Sequence, residues 1–247
     1  MAARHRFATV DGTSTPEGGE AYLRDLPDAE LAEFPSATIR SVNVGGARRI
    51  EFRDGSVDTA IWKSPVSGRV RVAGVNLEGD DQADRSVHGG PDKAVYAYAS
   101  EDLDWWAAQL GRPVEPGTFG ENFTTAGVDL ASAVVGERWA VGSTVLEVTQ
   151  PRIPCYKLGI RMGDPRFPRR FAAAARPGAY LRIVTEGDVA AGDSIRVLAR
   201  PDHGVTVGLV ERAYHADRSL ARRFRDADAL PEPWLEWADN VLRHGAA

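Results

Sequence analysis

Arg138-Trp139-Ala140-Val141-Gly142-Ser143-Thr144-Val145-Leu146-Glu147-Val148-Thr149 is the stretch on which the fold turns. It holds two short apolar runs, Arg138–Val141 and Thr144–Thr149, broken by a glycine and too brief for amphipathic helices. Similar runs recur on both sides: Thr38–Val44, Arg48–Arg53, Val57–Trp62, Arg69–Val75, Ala94–Ala99, Ala179–Thr185 and Ser194–Ala199. Strands this short and this numerous predict a mainly β fold built on a closed or strongly curved sheet. One helix interrupts them at Ser100–Leu110, with Ser100 as the expected N-cap, Glu101, Asp102 and Asp104 near its positive end, and Gly111 as its stop. Leu103, Trp106, Ala107 and Leu110 form its expected buried stripe.

Composition divides the chain into three parts. Residues 1–37 carry three Arg against seven Asp/Glu and are punctuated by Gly and Pro, which reads as a loose acidic arm. Residues 38–201 hold the strands. In residues 202–247 helical periodicity returns over Thr206–His215, Ser219–Asp226 and Pro231–Arg243, predicting a three-helix extension with Trp234 and Trp237 buried. Its six Arg against eight Asp/Glu oppose a helix-turn-helix reading, because phosphates attract surplus cations.

The whole chain has 247 residues, a net charge of −5 and one cysteine. That charge points away from nucleic acid and toward small molecules or protein partners. One cysteine excludes an intrachain disulfide, a CxxC pair, a zinc finger and a cysteine-held iron–sulfur cluster, and points to the cytoplasm. No apolar stretch reaches the roughly 18 to 20 residues needed to span a bilayer.

That cysteine lies in Gln150-Pro151-Arg152-Ile153-Pro154-Cys155-Tyr156-Lys157-Leu158, where two prolines stiffen the approach and two cations flank the sulfur. A lone Cys is often a buried apolar filler, but nearby cations favour the thiolate, the form that attacks electrophiles and ligates metals. Two glycine-bearing turns precede it. Gly79–Lys93 is poor in apolar residues and ends at a strand entrance; His88, beside Gly89 and Gly90 and near Lys93, suits an anion or a polar ring edge, or else the segment is a solvated loop. Gly117–Thr124 bends at Gly120 and presents Glu121 and Asn122, either to a ligand or to its own backbone. A small barrel gathers such strand ends on one rim.

Taken in order, Gly79-Asp80-Asp81-Gln82-Ala83-Asp84, His88-Gly89-Gly90-Pro91-Asp92-Lys93-Ala94-Val95-Tyr96, Phe119-Gly120-Glu121-Asn122 and the Cys155 segment resemble the MOSC family, named for the C-terminal domain of molybdenum cofactor sulfurases. The resemblance covers residues 38–201, and the tail looks like the three-helix extension of the YiiM-like subgroup. It implies a closed β-barrel with peripheral helices that binds the molybdenum cofactor, a molybdopterin, with Cys155 matching the family's cysteine. Family descriptions also associate the domain with pyridoxal phosphate.

In the YiiM-like and amidoxime-reducing relatives that cysteine ligates molybdenum and N-hydroxylated compounds are reduced, a detoxifying activity; in sulfurase relatives the thiol carries sulfur. The implied reading is therefore an oxidoreductase acting on N-hydroxylaminopurines or amidoximes, with a Cys155 persulfide carrier or a non-catalytic pterin binder as alternatives. A soft thiolate suits molybdenum. The pterin phosphate would fall to Lys93, Arg152 and Lys157 with the backbone at Gly89 and Gly90, Lys63 being a weaker candidate. His88 and Asn122 would hold the ring edge or the substrate, and His88 is a better candidate proton donor than Glu121 because an unperturbed imidazole pKa lies nearer neutrality than a carboxyl's. With no cysteines for a cluster and no GxGxxG, electrons would come from a separate reductase partner. A homo-oligomer is compatible with the tail's apolar stripe.

Overall fold

The computed structural model describes residues 37–53, 55–83 and 89–245. Thirteen strands appear in chain order: β1 (Thr38–Val44), β2 (Arg48–Phe52), β3 (Gly55–Thr59), β4 (Ser64–Pro65), β5 (Val70–Ala73), β6 (Asn76–Leu77), β7 (Val95–Ala99), β8 (Phe123–Ala126), β9 (Arg138–Val141), β10 (Thr144–Pro151), β11 (Ala179–Thr185), β12 (Gly187–Val189) and β13 (Ile195–Ala199). The α-helices are α1 (Ser100–Leu110), α2 (Tyr156–Met162), α3 (Phe167–Ala173), α4 (Val207–His215) and α5 (Glu232–His244). Short 3₁₀ segments cover Pro91–Lys93 and Arg218–Asp226.

Eight strands form one sheet in the order β13-β9-β10-β11-β7-β8-β1-β4. All its pairings are antiparallel except β7 with β8, which run parallel because α1 carries the chain across between them. β10 sits between β9 and β11 and is buried along its whole length. Leu146 and Val148 join the main core with Val42, Val95, Trp139 and Leu181, while Gln150 accepts a hydrogen bond from the Trp234 indole of α5 at 2.8 Å. A strand covered on both faces loses the polar alternation of a surface strand.

The closed barrel expected from the sequence is not what forms. The sheet curls until β1 and β13 approach, but their seam is a single bridge, Thr38 to Ser194, with backbone bonds from Ile39 N to Asp193 O (2.9 Å), Gly192 N to Ile39 O (2.7 Å) and Ile195 N to Ala37 O (2.8 Å). β13 presents one edge to β9; on the other, only Ile195 N reaches the start of β1, at the Ala37 carbonyl, while the 190–193 turn meets Ile39 and the far end of β1 pairs with the two residues of β4. The result is a mainly β fold with helices, organised on a strongly curved sheet.

α1 has the expected bounds and ends at Gly111 in the left-handed conformation (φ 63°), but its N-cap is Ala99, with Ser100 already inside the first turn. Leu103 and Trp106 are its buried residues, and Trp106 donates to the Tyr98 hydroxyl at 2.9 Å. The C-terminal stretch carries α4 and α5 with a 3₁₀ segment where a middle helix was expected. Its core of Val205, Val210, Phe224, Leu230 and Trp234 takes in Val135 of the β-rich part, with Ile153 packed against it. Among the described residues no helix is long and apolar enough to cross a membrane. The expected acidic arm lies outside the described residues except for Ala37, which is buried.

Candidate functional site

β10 ends at Pro151, and the chain then runs through Arg152, Ile153 and Pro154 to Cys155, extended at φ −115° and ψ 174°. Cys155 caps α2, its carbonyl accepting from Leu158 N at 3.0 Å. The cysteine is half-buried and lines a cleft with about 690 Å³ of atom-free space counted out to open solvent. Three segments meet there. Gln82 and Lys93 come from the first glycine-bearing turn, Phe119, Gly120 and Asn122 from the second, and Arg152, Cys155 and Lys157 from the third; Tyr96 of β7 and Tyr180 of β11 complete the wall. The convergence of strand ends expected from the sequence is present.

Arg152 dominates the electrostatics. It is 6% exposed, lies 5.5 Å from the Tyr96 ring and 5.2 Å from the Phe171 ring, and shares the cleft wall with Tyr180. Burial alone pulls a guanidinium pKa down, yet Arg152 stands above its ordinary value because Tyr96, Tyr180 and Cys155 favour its charge. No carboxylate pairs with it, and its buried Nη1 has no hydrogen-bond partner among the described residues. A buried cation left with an unused donor is a strong acceptor-seeking group.

The other cations differ in how far they are engaged. Lys157 donates to the Asp58 carbonyl of β3 at 3.0 Å, which ties α2 to the β2–β3 hairpin, and the neighbouring Tyr156 stacks on Phe52 of the same hairpin at 5.3 Å. Lys93 borders the cleft with its pKa lowered, because burial outweighs the help of Asp92. Lys63 also lines the cleft but is ion-paired to Asp80, whose side chain is 1% exposed. The phosphate role considered for Lys63 therefore yields to a wall-building one. Burial holds its pKa below the usual lysine range despite that partner.

Asn122 faces the same pair. Its amide donates to Asp80 Oδ2 at 2.9 Å and to the Asn43 carbonyl at 3.4 Å, and its Oδ1 accepts from Tyr96 N at 3.1 Å. Both N–H groups are thus committed to the protein. Glu121 points away from the cleft into its own turn, accepting from Gly117 N (2.6 Å) and Phe119 N (3.0 Å). Burial pushes its pKa up to about 7, and those N–H donors limit the rise. The turn needs Gly117 (φ 83°), where a Cβ would lie 2.5 Å from the Lys63 carbonyl oxygen, and Gly120 (φ 81°). In the first turn, Gly90 donates its N–H to Gln82 Oε1 at 3.2 Å, so this donor serves the loop, and neither Gly89 nor Gly90 lines the cleft. His88 lies outside the described residues.

The cleft continues past Cys155 into a second limb that the sequence reading did not anticipate. Lys93, Ile153, Cys155 and Tyr180 border both limbs, and Tyr214, Trp234 and Trp237 of the C-terminal helices wall the second. The tryptophans were expected to be buried packing groups, which Trp234 is at 8% exposure. Their nearness to a cysteine some 80 residues earlier in the chain has no sequence signal. Among the described residues no group of three or more His, Cys, Asp or Glu could hold a metal.

A curved β-sheet whose strand ends gather a single cysteine and buried cations defines a recognisable class. The MOSC domain model matches residues 84–196, spanning the second half of the first turn through the Cys155 segment to the start of β13. The uncharacterized protein YflK of Bacillus subtilis (strain 168) is 34% identical over 200 residues, which are 80% of this chain and 90% of YflK. A protein named Reductase from Gibberella moniliformis is 32% identical over 197 residues, covering 76% of this chain and 35% of that larger protein. The crystal structure of YiiM from Geobacillus stearothermophilus superposes with a TM-score of 0.70 at 28% identity, over 83% of this chain and 99% of that one. The chain belongs to the MOSC domain family.

Proposed function

We propose that the protein binds a molybdenum cofactor and reduces N-hydroxylated compounds, with Cys155 as the thiolate ligand to the metal. The observation that carries this reading is the placing of Cys155 on the same cleft as Arg152, a buried cation whose Nη1 lacks an acceptor. The residues present fit an anionic, metal-bearing cofactor. With no cluster of metal-ligating side chains among the described residues, one soft sulfur beside cations suits a metal that arrives already chelated. The MOSC resemblance and the relative named Reductase support the same direction.

When bound, the cofactor supplies two-electron oxygen-atom chemistry; the protein supplies binding, orientation and protons. Arg152 and Lys157 would take the pterin phosphate, Arg152 gaining the acceptor its Nη1 lacks. Lys93, between the two limbs, would neutralise negative charge next to the sulfur. Asn122 would act through Asp80 and Lys63, holding the wall opposite Cys155. The reduction of an N–OH group to N–H consumes two electrons and two protons and releases water. His88 is proposed as proton donor, since Glu121, although burial brings it to about 7, is turned into its own loop and does not line the cleft, and a separate reductase is proposed as electron source.

The test is metal analysis of protein purified from a host that makes the cofactor, with an N-hydroxylaminopurine reduction assay using reduced methyl viologen. Wild type is expected to hold molybdenum and turn over; Cys155→Ser is expected to lose turnover and most of the metal. Equal molybdenum and equal turnover in both proteins would overturn the assignment.

A further inference from the structure

The two limbs of the cleft meet at Lys93, Ile153, Cys155 and Tyr180 and differ in chemistry beyond that junction. The first adds the cations Lys63, Arg152 and Lys157, whereas the second adds Tyr214 of α4 and Trp234 and Trp237 of α5, with no further charged side chain in its lining among the described residues. Tyr214 is 40% exposed, and its ring stands 5.5 Å from that of Trp237. Aromatic surface left open beside a thiol that also borders the cation-lined limb is surface a ligand can cover.

The polar groups of this limb's floor are already spent. The Trp234 indole donates to Gln150, whose own amide donates to the Asp92 carbonyl at 3.2 Å, and the lining residues Pro151, Pro154 and Pro233 have no N–H to give. What the walls offer is chiefly aromatic surface, which takes a flat ring by stacking and reads little of the nitrogens and oxygens on the ring's edge. An anionic cofactor gains from the cations of the first limb and not from these walls, so the limbs call for different occupants. We propose that the second limb is the substrate subsite: the aromatic ring of an N-hydroxylated compound stacks on Trp237 and Tyr214 with its N–OH group at the Cys155 junction, and these two residues set a preference for flat aromatic compounds over open-chain ones. The inference rests on the reductase reading and adds to it that the C-terminal helices select the substrate. Because the ring edge goes unread, a purine and a benzene ring carrying the same kind of group should be accepted within ~10-fold of each other.

Calorimetry on the full chain as purified, with no electron donor present, reads the binding of 6-N-hydroxylaminopurine, benzamidoxime and acetamidoxime without turnover. The methyl viologen assay on molybdenum-loaded protein reads kcat/KM for the same three. The two aromatic compounds are expected to bind alike and acetamidoxime at least ~10-fold more weakly, the worth of one stacked ring. Trp237→Ala should lower the aromatic-to-open-chain preference ~10-fold in both measurements, and Trp237→Phe, which keeps a ring, should restore most of it. Tyr214→Ala, at an exposed position, should lower the preference with an unchanged circular dichroism spectrum, so the outcome does not hang on Trp237, which also packs on Phe224 at 5.6 Å. Acetamidoxime bound as tightly as benzamidoxime, or a preference unchanged in both Trp237→Ala and Tyr214→Ala, would overturn the inference. Binding of the expected pattern with no turnover of any of the three would overturn the reductase reading instead, whereas turnover of all three at equal kcat/KM would uphold that reading and overturn the subsite.

Discussion

Glu121 makes the protein's stability depend on pH in a direction opposite to that of an ordinary ion-paired carboxylate. Its pKa rises from 4.5 in the unfolded chain to about 7 in the fold, chiefly because it is fully buried, while the N–H groups of Gly117 and Phe119 hold it down. Below pH 4.5 both states carry the proton and folding is indifferent to pH through this group. Between 4.5 and 7 the folded protein holds a proton that the unfolded chain has released, so stability falls as the pH rises. At about 1.36 kcal/mol per pH unit the loss amounts to about 3 kcal/mol, complete once the pH passes the folded-state value. Glu121→Gln removes the titration and keeps an oxygen for one of the two N–H groups, which bond to different carboxylate oxygens; the other then faces the amide NH₂, a cost that does not vary with pH and so leaves the slope intact. Urea unfolding of both proteins from pH 4 to 8 reads the effect as the difference between their stabilities, which cancels every other titrating group. That difference is expected to move steadily against wild type over the window, by about 3 kcal/mol in all. A flat difference would refute the reasoning and show that Glu121 titrates alike in the folded and unfolded chain.

Three further outcomes follow from the same geometry. Lys63→Met strands the Asp80 carboxylate, 1% exposed, and should cost about 3–5 kcal/mol in urea unfolding, with Asp80→Asn added on top recovering part of the loss. Phe171→Ala, at a site 1% exposed where Trp106, Tyr98, Phe119 and the Arg152 guanidinium converge, should cost about 3–5 kcal/mol and lower the melting temperature accordingly. Gly117→Ala forces a Cβ to 2.5 Å from the Lys63 carbonyl at φ 83° and should cost about 2–4 kcal/mol, whereas Gly46→Ala, with nothing within 4 Å, should stay within about 0.5 kcal/mol in the same thermal melts.

Much of the fold was legible where an element coincides with an apolar run bounded by its own turn signals. β1, β9 and β11 begin and end where their apolar runs do, and α1 stops at the glycine that allows a left-handed cap. The short elements were not legible. β4 and β6 have two residues each and β12 has three, too few to show alternation, and they exist through the partners they meet: β12 through β5, β6 through β5, β4 through the end of β1. α2 and α3 have seven residues apiece, about two turns, and their stability comes from Leu158, Phe167 and Phe171 entering an aromatic cluster with Tyr98, Trp106 and Phe119. Closure of the sheet was likewise a matter of partners. Counting strands cannot tell a ladder from a seam of one bridge, because the difference lies in how far the outer edge of β13 runs alongside β1.

The site divides along a similar line. Cys155, Arg152, Lys157 and Lys93 could be picked out by chemistry that shows in single residues, and the fold brings all four to one cleft. What sequence does not show is which charges are already answered. Lys63 and Lys157 look alike as lysines near the site, yet one is paired with a carboxylate 17 residues away and the other with a backbone carbonyl 99 residues away. Tyr96 and Tyr180 read as strand residues, and only their facing positions on β7 and β11 place them around the guanidinium. The same distinction orders the cations by what they have left to offer. A lysine already paired to a buried carboxylate has little affinity to spend, whereas Arg152, desolvated and lacking an acceptor at Nη1, gains most from an incoming anion. Arg152→Gln should therefore weaken inorganic phosphate binding in calorimetry ~10-fold or more, and Lys63→Gln should change stability before it changes affinity. Equal phosphate affinity in wild type and Arg152→Gln would mean that the unanswered donor is not the centre of the anion site.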